Sequence, residues 1–378
     1  MIVILQTYIV YIIIFITLYY GIKKAINTHK IVHLILALLP YSLFMGFRYG
    51  VGQDFFMYFN SYNEILQGDD YKRDFELGYS FLMNLFSLFY VPVSIFLGFL
   101  SFLQIFLVFK ATDKEHRKIW KYLVLTFFFS CTWLSFNNGI RQELAFCIFC
   151  FSIRSIIERN FFKYCFLIIL AALIHKSAYL LFLFYPLFFK RSWINNLKMQ
   201  ITFYFISLAL MSNNFVNSLI EKFEFLIAIV GYSEYTEKDT YSDLLIRSEE
   251  KNFGIGSYIL LLINLINILY SNKAKKFFNS QYFNIIYDMY YFGTLWSYVF
   301  RNSQLFSRIN YYFYGFNFIV GAFILLYLSR KNRQIYYMVL TLYVLTFIGY
   351  MSSMHENTCL YIFNWQNDLF MLKQNMSD

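Results

Sequence analysis

Chain breakers are scarce in this sequence: three prolines and fifteen glycines stand among 378 residues. So few of them leave little room for long flexible linkers. Charge is scarce as well, at 14% of residues against about 25% in a typical soluble domain, while 59% are hydrophobic. A soluble fold this apolar would lack the polar atoms to cover its own surface. There are only five cysteines. Cys147 and Cys150 form a C-x-x-C within an apolar run and have no second ligand pair. They are expected to be small apolar helix residues rather than a zinc or redox centre. The glycines of FRYGVGQDFFMY are not followed by G-K-[ST], which excludes a Walker A nucleotide site. No internal repeat, inverted half-and-half symmetry or low-complexity tract is visible, and that counts against a repeat-built transporter.

Long apolar runs are abundant, and aromatic residues make up 23% of the chain, with 48 Phe and 35 Tyr. A membrane helix needs about 20 mostly apolar residues. On that measure the chain reads as an all-α polytopic bundle of about twelve transmembrane helices in a single integral membrane domain over 1–378. The spans fall near 1–21, 30–47, 93–110, 119–136, 139–157, 162–175, 176–189, 199–213, 254–271, 282–300, 311–329 and 335–352. Segments 78–90 and 215–230 read as interfacial. The first run has no basic segment before it and no cleavage site after it, so it is expected to be a retained helix.

The net charge of +10 does not point to nucleic acid, because the basic residues lie in short runs between apolar segments. Those runs include Lys23–Lys24–Lys30, Lys114–Lys121, Arg154–Lys163, Lys190–Lys198, Lys273–Lys276 and Arg330–Arg333. They fall in alternate connections and mark them as cytoplasmic, which sets both termini outside. The two longest connections, 48–77 and 232–253, are then extracytoplasmic loops, and long loops on a helical bundle usually carry function.

Charge beside a membrane helix is costly and needs a reason. On this topology Arg48, Asp54, Arg141, His175, Lys176, Arg301 and Arg308 gather toward the outer surface. Guanidinium binds phosphate bidentately and stays charged in a low dielectric, so outward arginines suggest an anionic ligand such as a lipid-borne phosphate. Arg141 and Gln142 open an apolar helix behind the polar turn Asn137–Asn138. His175, within ILAALIHKSAYLL, is an imidazole suited to taking a proton from a hydroxyl. A backbone turn after the second helix is expected to present Arg48 and Asp54 at the surface, and Gly46 and Gly50 match G-x-x-x-G. Asp69, Asp70 and Asp74 read as solvated rather than as a cation site. Asp288, inside a helix, is expected to hydrogen-bond to Tyr or Ser.

FRYGVGQDFFMYFNSY, FELGYSFL, NNGIRQELAFCIFCFSI, KYCFLIILAALIHKSAYLLFL and FSRINYYF occur in this order from residue 46 to about 315. In that order they resemble the EpsG-like branch of bacterial polysaccharide polymerases, which is similar to the Wzy polymerases of O-antigen and capsule. Lys176 beside His175, and a FELG segment without proline, depart from the pattern.

The resemblance implies a GT-C-like membrane glycosyltransferase in the bacterial cytoplasmic membrane with its site facing outward. It would join oligosaccharide repeat units carried on undecaprenyl diphosphate, with no metal and no cofactor. Arg141, His175 and Asp54 would be catalytic; Arg48, Gln142, Arg301 and Arg308 would bind diphosphate or sugar. A flippase and a chain-length regulator are the expected partners, along with membrane lipid. A flippase or exporter of lipid-linked sugar, and a polysaccharide ligase or other membrane transferase, are the alternatives. Few ionisable residues lie deep in the helices, Asp288 being the main one, which disfavours a transporter.

Overall fold

A computed structural model describes residues 2–68, 75–113, 117–186, 195–211, 255–301, 304–352 and 359–366. These hold 15 α-helices and almost no sheet, as expected of an all-α polytopic chain. Five helices are long and apolar enough to cross a membrane: Val3–Thr28, Val93–Thr112, Ile255–Phe278, Phe306–Lys331 and Arg333–Ser352. The shorter apolar helices Ile31–Gly46, Phe161–Ile174 and Leu197–Leu210 add to them. The chain packs as two units. Segment 215–230, the loop 232–253, and Asp69, Asp70 and Asp74 lie outside the described residues.

The first unit comprises Met1–Phe151, Leu170–His175 and Phe347–Asp378. It begins with α1 (Ile2–Thr28), α2 (Ile31–Gly46), β1 (Arg48–Tyr49) and α3 (Phe55–Gln67). Next come α4 (Leu77–Ser87), α5 (Val93–Thr112), α6 (Trp120–Phe129), α7 (Thr132–Asn138) and the head of α8 (Ile140–Ile157). On α1 one face, Val10, Tyr11, Ile14, Leu18 and Ile22, is buried, while the exposed face carries Leu5, Ile9, Ile12 and Ile16. A helix apolar on its exposed face as well as its buried one belongs in lipid.

Small residues let these helices close up. A Cβ on Gly21 would come 2.8 Å from the Cβ of Ala37, and one on Gly98 would come 3.0 Å from the Ser42 carbonyl. Gly46 packs against Ser94 and Gly98 of α5, whereas Gly50 stands outside any helix with φ +70°. The G-x-x-x-G match is therefore a coincidence of spacing, and the partner of Gly46 is Gly98.

Two local expectations in this unit change, and one feature was not foreseen. The 119–136 span is broken: residues 117–129 and 132–138 meet at 70°, with Cys131 between them at φ +58°. The 48–77 loop contains a 13-residue helix, α3, capped by Gly68 in the left-handed region. And the chain returns near its end as β2 (Ile362–Phe363), which pairs antiparallel with β1, Arg48 opposite Phe363.

The second unit comprises Ser152–Ile169 and Lys176–Thr346. It holds the start of α9 (Phe161–Ile174), a 3₁₀ segment Lys176–Phe184, α10 (Leu197–Leu210), α11 (Ile255–Phe278) and α12 (Gln281–Val299). α13 (Gln304–Tyr314), α14 (Asn317–Lys331) and most of α15 (Arg333–Ser352) complete it. The expected span at 176–189 is thus a 3₁₀ segment over its described part. α14 is buried around its circumference, through Ile319, Val320, Ala322, Phe323, Ile324 and Leu325.

Around α14 an uncharged polar network ties α10, α11 and α12 together. Tyr287 Oη and Ser271 Oγ donate to Gln200 Oε1 at 2.7 and 3.3 Å, Tyr290 Oη donates to Asn264 Oδ1 at 2.8 Å, and Asn264 Nδ2 donates to Tyr298 Oη at 2.8 Å. Hydrogen bonds between helices hold a bundle where lipid gives no hydrophobic drive. Asp288 lies in this unit, and its carboxylate accepts from Lys275 Nζ at 2.9 Å. Its charge is matched by Lys275 at the basic end of α11.

Candidate functional site

The polar turn Asn137–Gly139 joins α7 to α8, and buried polar side chains hold it from beneath. Gln104 of α5 donates through Nε2 to the carbonyls of Phe136 and Ile140, at 3.1 and 3.0 Å. Ser101 Oγ donates to Asn137 Oδ1 at 3.2 Å, and Asn137 Nδ2 donates to Tyr41 Oη at 3.2 Å. Such groups are stable inside an apolar bundle only when hydrogen-bonded.

On this turn sits the loop that follows α2. Gly52, at φ +97°, lies so close that a Cβ would meet Asn138 Oδ1 at 3.2 Å, and the Asp54 backbone N–H donates to the same Oδ1 at 3.0 Å. Arg48 donates to the Met45 carbonyl and, at 3.0 Å, to the Asn137 carbonyl. Its guanidinium lies 5.5 Å from the Phe55 ring centroid.

Arg48 was expected at the surface. It is 1% exposed instead. Burial pushes its guanidinium down to about 10, so the charge survives at neutral pH. The end of α2 explains how that charge is tolerated. The last carbonyls of a helix are orphaned and carry partial negative charge. Here Met45 O accepts from Arg48, Phe44 O accepts from Tyr361 Oη at 2.5 Å, and Phe47 O accepts from the Asn364 N–H at 2.9 Å. The C-terminal segment 359–366, unremarked in the sequence, thereby caps α2 and fixes the Arg48 loop.

Arg141 points to a different face of α8. Its Nη1 pairs with Glu76, and its guanidinium carbon lies 4.4 Å from the Phe75 ring centroid, 5.9 Å from Tyr79 and 6.0 Å from Tyr58. Among the described residues, Arg141 Nε is buried and makes no hydrogen bond. The side chains of Arg141 and Glu76 are 18% and 14% exposed. This is a guanidinium in an aromatic box, held by one carboxylate and close to the surface. The box explains FELGY position by position: Phe75 and Tyr79 cover the guanidinium and Glu76 pairs with it. A Cβ on Gly78 would strike the Leu173 Cβ and carbonyl at 2.8 Å. Leu173 precedes His175 by two residues, and Ile174 shares a core with Tyr58, Tyr79 and Ile140. His175 is half-buried, and its backbone N–H donates to the Ala171 carbonyl at 2.9 Å.

FRYGVGQD, FELGY, NNGIRQ and the head of IHKS thus meet in the first unit. A family model described as EpsG family matches residues 30–366. The chain belongs to the EpsG family. No curated protein and no solved structure matches it. EpsG membership makes it a multi-pass membrane protein of polysaccharide biosynthesis, of the polymerase type. The family match ends at Gln366, so it takes in the segment that caps α2 in this EpsG chain.

Gln142 is buried beside Arg141, Asp54 is half-buried at the start of α3, and Arg301 and Arg308 belong to the second unit, both half-buried. Burial lowers the Arg301 guanidinium from its ordinary value. Sequence reading missed Glu76, Phe75, Tyr58 and Tyr79 around Arg141. It also missed Glu143, which is 4% exposed and accepts from Ser135 Oγ. Among the described residues no group of three or more His, Cys, Asp or Glu is placed to hold a metal.

Proposed function

We propose that this EpsG-family protein polymerises undecaprenyl-diphosphate-linked oligosaccharide repeat units at the outer face of the bacterial cytoplasmic membrane. The observation that carries this reading is the boxed Arg141, a part-exposed guanidinium where four motifs meet. A hydroxyl oxygen of the incoming unit attacks the anomeric carbon of the growing chain. The bond from that carbon to the diphosphate oxygen breaks, and the lipid diphosphate leaves with the electron pair. Arg141 stabilises the charge that develops on the leaving group, without a metal. His175 or Asp54 takes the hydroxyl proton.

Arg48 acts from behind, holding the turn that aims Arg141, and Gln142 binds diphosphate or sugar beside Arg141. Arg301 and Arg308 bind diphosphate or sugar. The fold is of the GT-C kind, and the protein works beside a flippase that supplies units and a regulator of chain length.

Arg141→Ala, expressed at the wild-type level in a deletion strain, is expected to replace the surface-glycan ladder with single repeat units. Removing one such donor costs about 10²–10³-fold in rate. An unchanged ladder sinks the reading. Loss of the single unit itself points to a flippase, and an intact but unattached polymer to a ligase.

A further inference from the structure

Glu76 is where the resting site and a loaded site conflict. A buried guanidinium needs a counter-ion, and in this structure the Glu76 carboxylate supplies it through Arg141 Nη1. A diphosphate arriving at the same guanidinium meets that carboxylate at close range, and like charges at one site repel. The Nε edge of the guanidinium is closed as well, since Arg141 Nε is buried. Three of the four groups around the guanidinium come from one short stretch: Phe75, Glu76 and Tyr79 lie just before and at the start of α4, and Tyr58 of α3 is the fourth. A displacement of that stretch withdraws the carboxylate and two of the three rings together, leaving Tyr58 in place.

The released carboxylate has a second place to go. Glu76 is the N-cap residue of α4, with extended backbone, and its side chain makes no capping hydrogen bond. The first N–H groups of a helix are orphaned and carry partial positive charge. The flexible Glu76 side chain can turn toward those N–H groups once it leaves Arg141. Glu76 therefore has two alternative partners, the guanidinium and the head of its own helix.

We propose that Glu76 is an exchangeable counter-ion: it occupies Arg141 in the empty site, yields it to the donor's diphosphate, and so sets donor affinity. The proposal rests on the reading of Arg141 as the diphosphate site. It makes Glu76 a specificity-determining residue, because only an anion stronger than a carboxylate at a guanidinium displaces it. Phosphate oxygens binding in a bidentate fork meet that requirement, and a neutral sugar does not.

The test measures binding of undecaprenyl diphosphate to the full-length protein in lipid nanodiscs. Glu76→Gln removes the competing charge and keeps the shape, and is expected to tighten binding about tenfold, equal to about 1.4 kcal/mol. Glu76→Asp, which shortens the reach to Arg141, is expected to tighten it about threefold and serves if the Gln variant does not fold. Unchanged or weaker binding in the folded variants overturns the exchange. Arg141→Ala separates the two ideas. If it binds the probe as the wild type does, both the diphosphate site and the exchange fall. If it loses binding while Glu76→Gln fails to tighten it, only the exchange falls.

Discussion

Arg48 offers the sharpest contrast between a binding residue and a structural one. As a ligand contact its removal would abolish activity and leave the fold untouched. Its geometry predicts the reverse order of effects. Its guanidinium donates to the carbonyls of Met45 and Asn137, and it is sealed from solvent. A hydrogen bond from a charged group contributes about 1.5–3 kcal/mol, so the pair places the loss in Arg48→Ala at about 3–6 kcal/mol. The cavity left behind adds to that. With about 2–4 °C of melting temperature per kcal/mol in a chain of moderate size, the fall is on the order of 10 °C. Arg48→Lys keeps a charge near the end of α2 but loses the fork that reaches both carbonyls, and is expected to fall about half as far. The assay is loss of the monodisperse peak in detergent after stepwise heating, at one fixed heating time because membrane-protein unfolding is rarely reversible. Arg48→Ala that melts like the wild type yet makes no polymer would refute the argument and return Arg48 to the substrate.

Two further outcomes test the packing. Lys275→Met is expected to cost about 3 kcal/mol by removing the ion pair from the largely buried Asp288 carboxylate, while Lys275→Met with Asp288→Leu recovers most of it. A double variant no more stable than the weaker single, measured by the same heating assay, refutes that account. Tyr361→Phe leaves the Phe44 carbonyl without its donor and is expected to cost about 1–3 kcal/mol. Removal of residues 359–378 strips the Asn364 contact as well and is expected to destabilise further; a truncated chain of wild-type stability rules out the capping role.

What the sequence made legible follows from the range over which each signal acts. Arg141 stood out because a charge at the head of an apolar run needs no knowledge of distant residues. Its partner Glu76 did not, because the two are 65 positions apart and Glu76 shares a stretch with other charges that looks like an ordinary polar loop. The apolar runs gave the membrane class and most helix positions, since span length is a local property. The break at Cys131 escaped because FFFSCTW holds neither proline nor glycine, and the left-handed turn there is made by a residue type that seldom adopts it. Eight residues near the end, 359–366, have no period to read, yet they cap α2, the helix that Arg48 follows.

The same distinction of range bears on the arginines as a set. Read along the chain, Arg48 and Arg141 are equivalent: each is a cation at the end of an apolar segment. In the fold they are opposites. Arg48 neutralises the carboxyl end of a helix, has its bonds to backbone carbonyls and is enclosed, so any ligand would have to displace bonds that hold the loop together. Arg141 is held by side chains, the Glu76 carboxylate, the Tyr58 hydroxyl and the rings of Phe75 and Tyr79. Exchanging its partner costs the fold little. A guanidinium suited to ligand binding is one whose resting partners are themselves replaceable, and in the first unit Arg141 meets that condition where Arg48 does not.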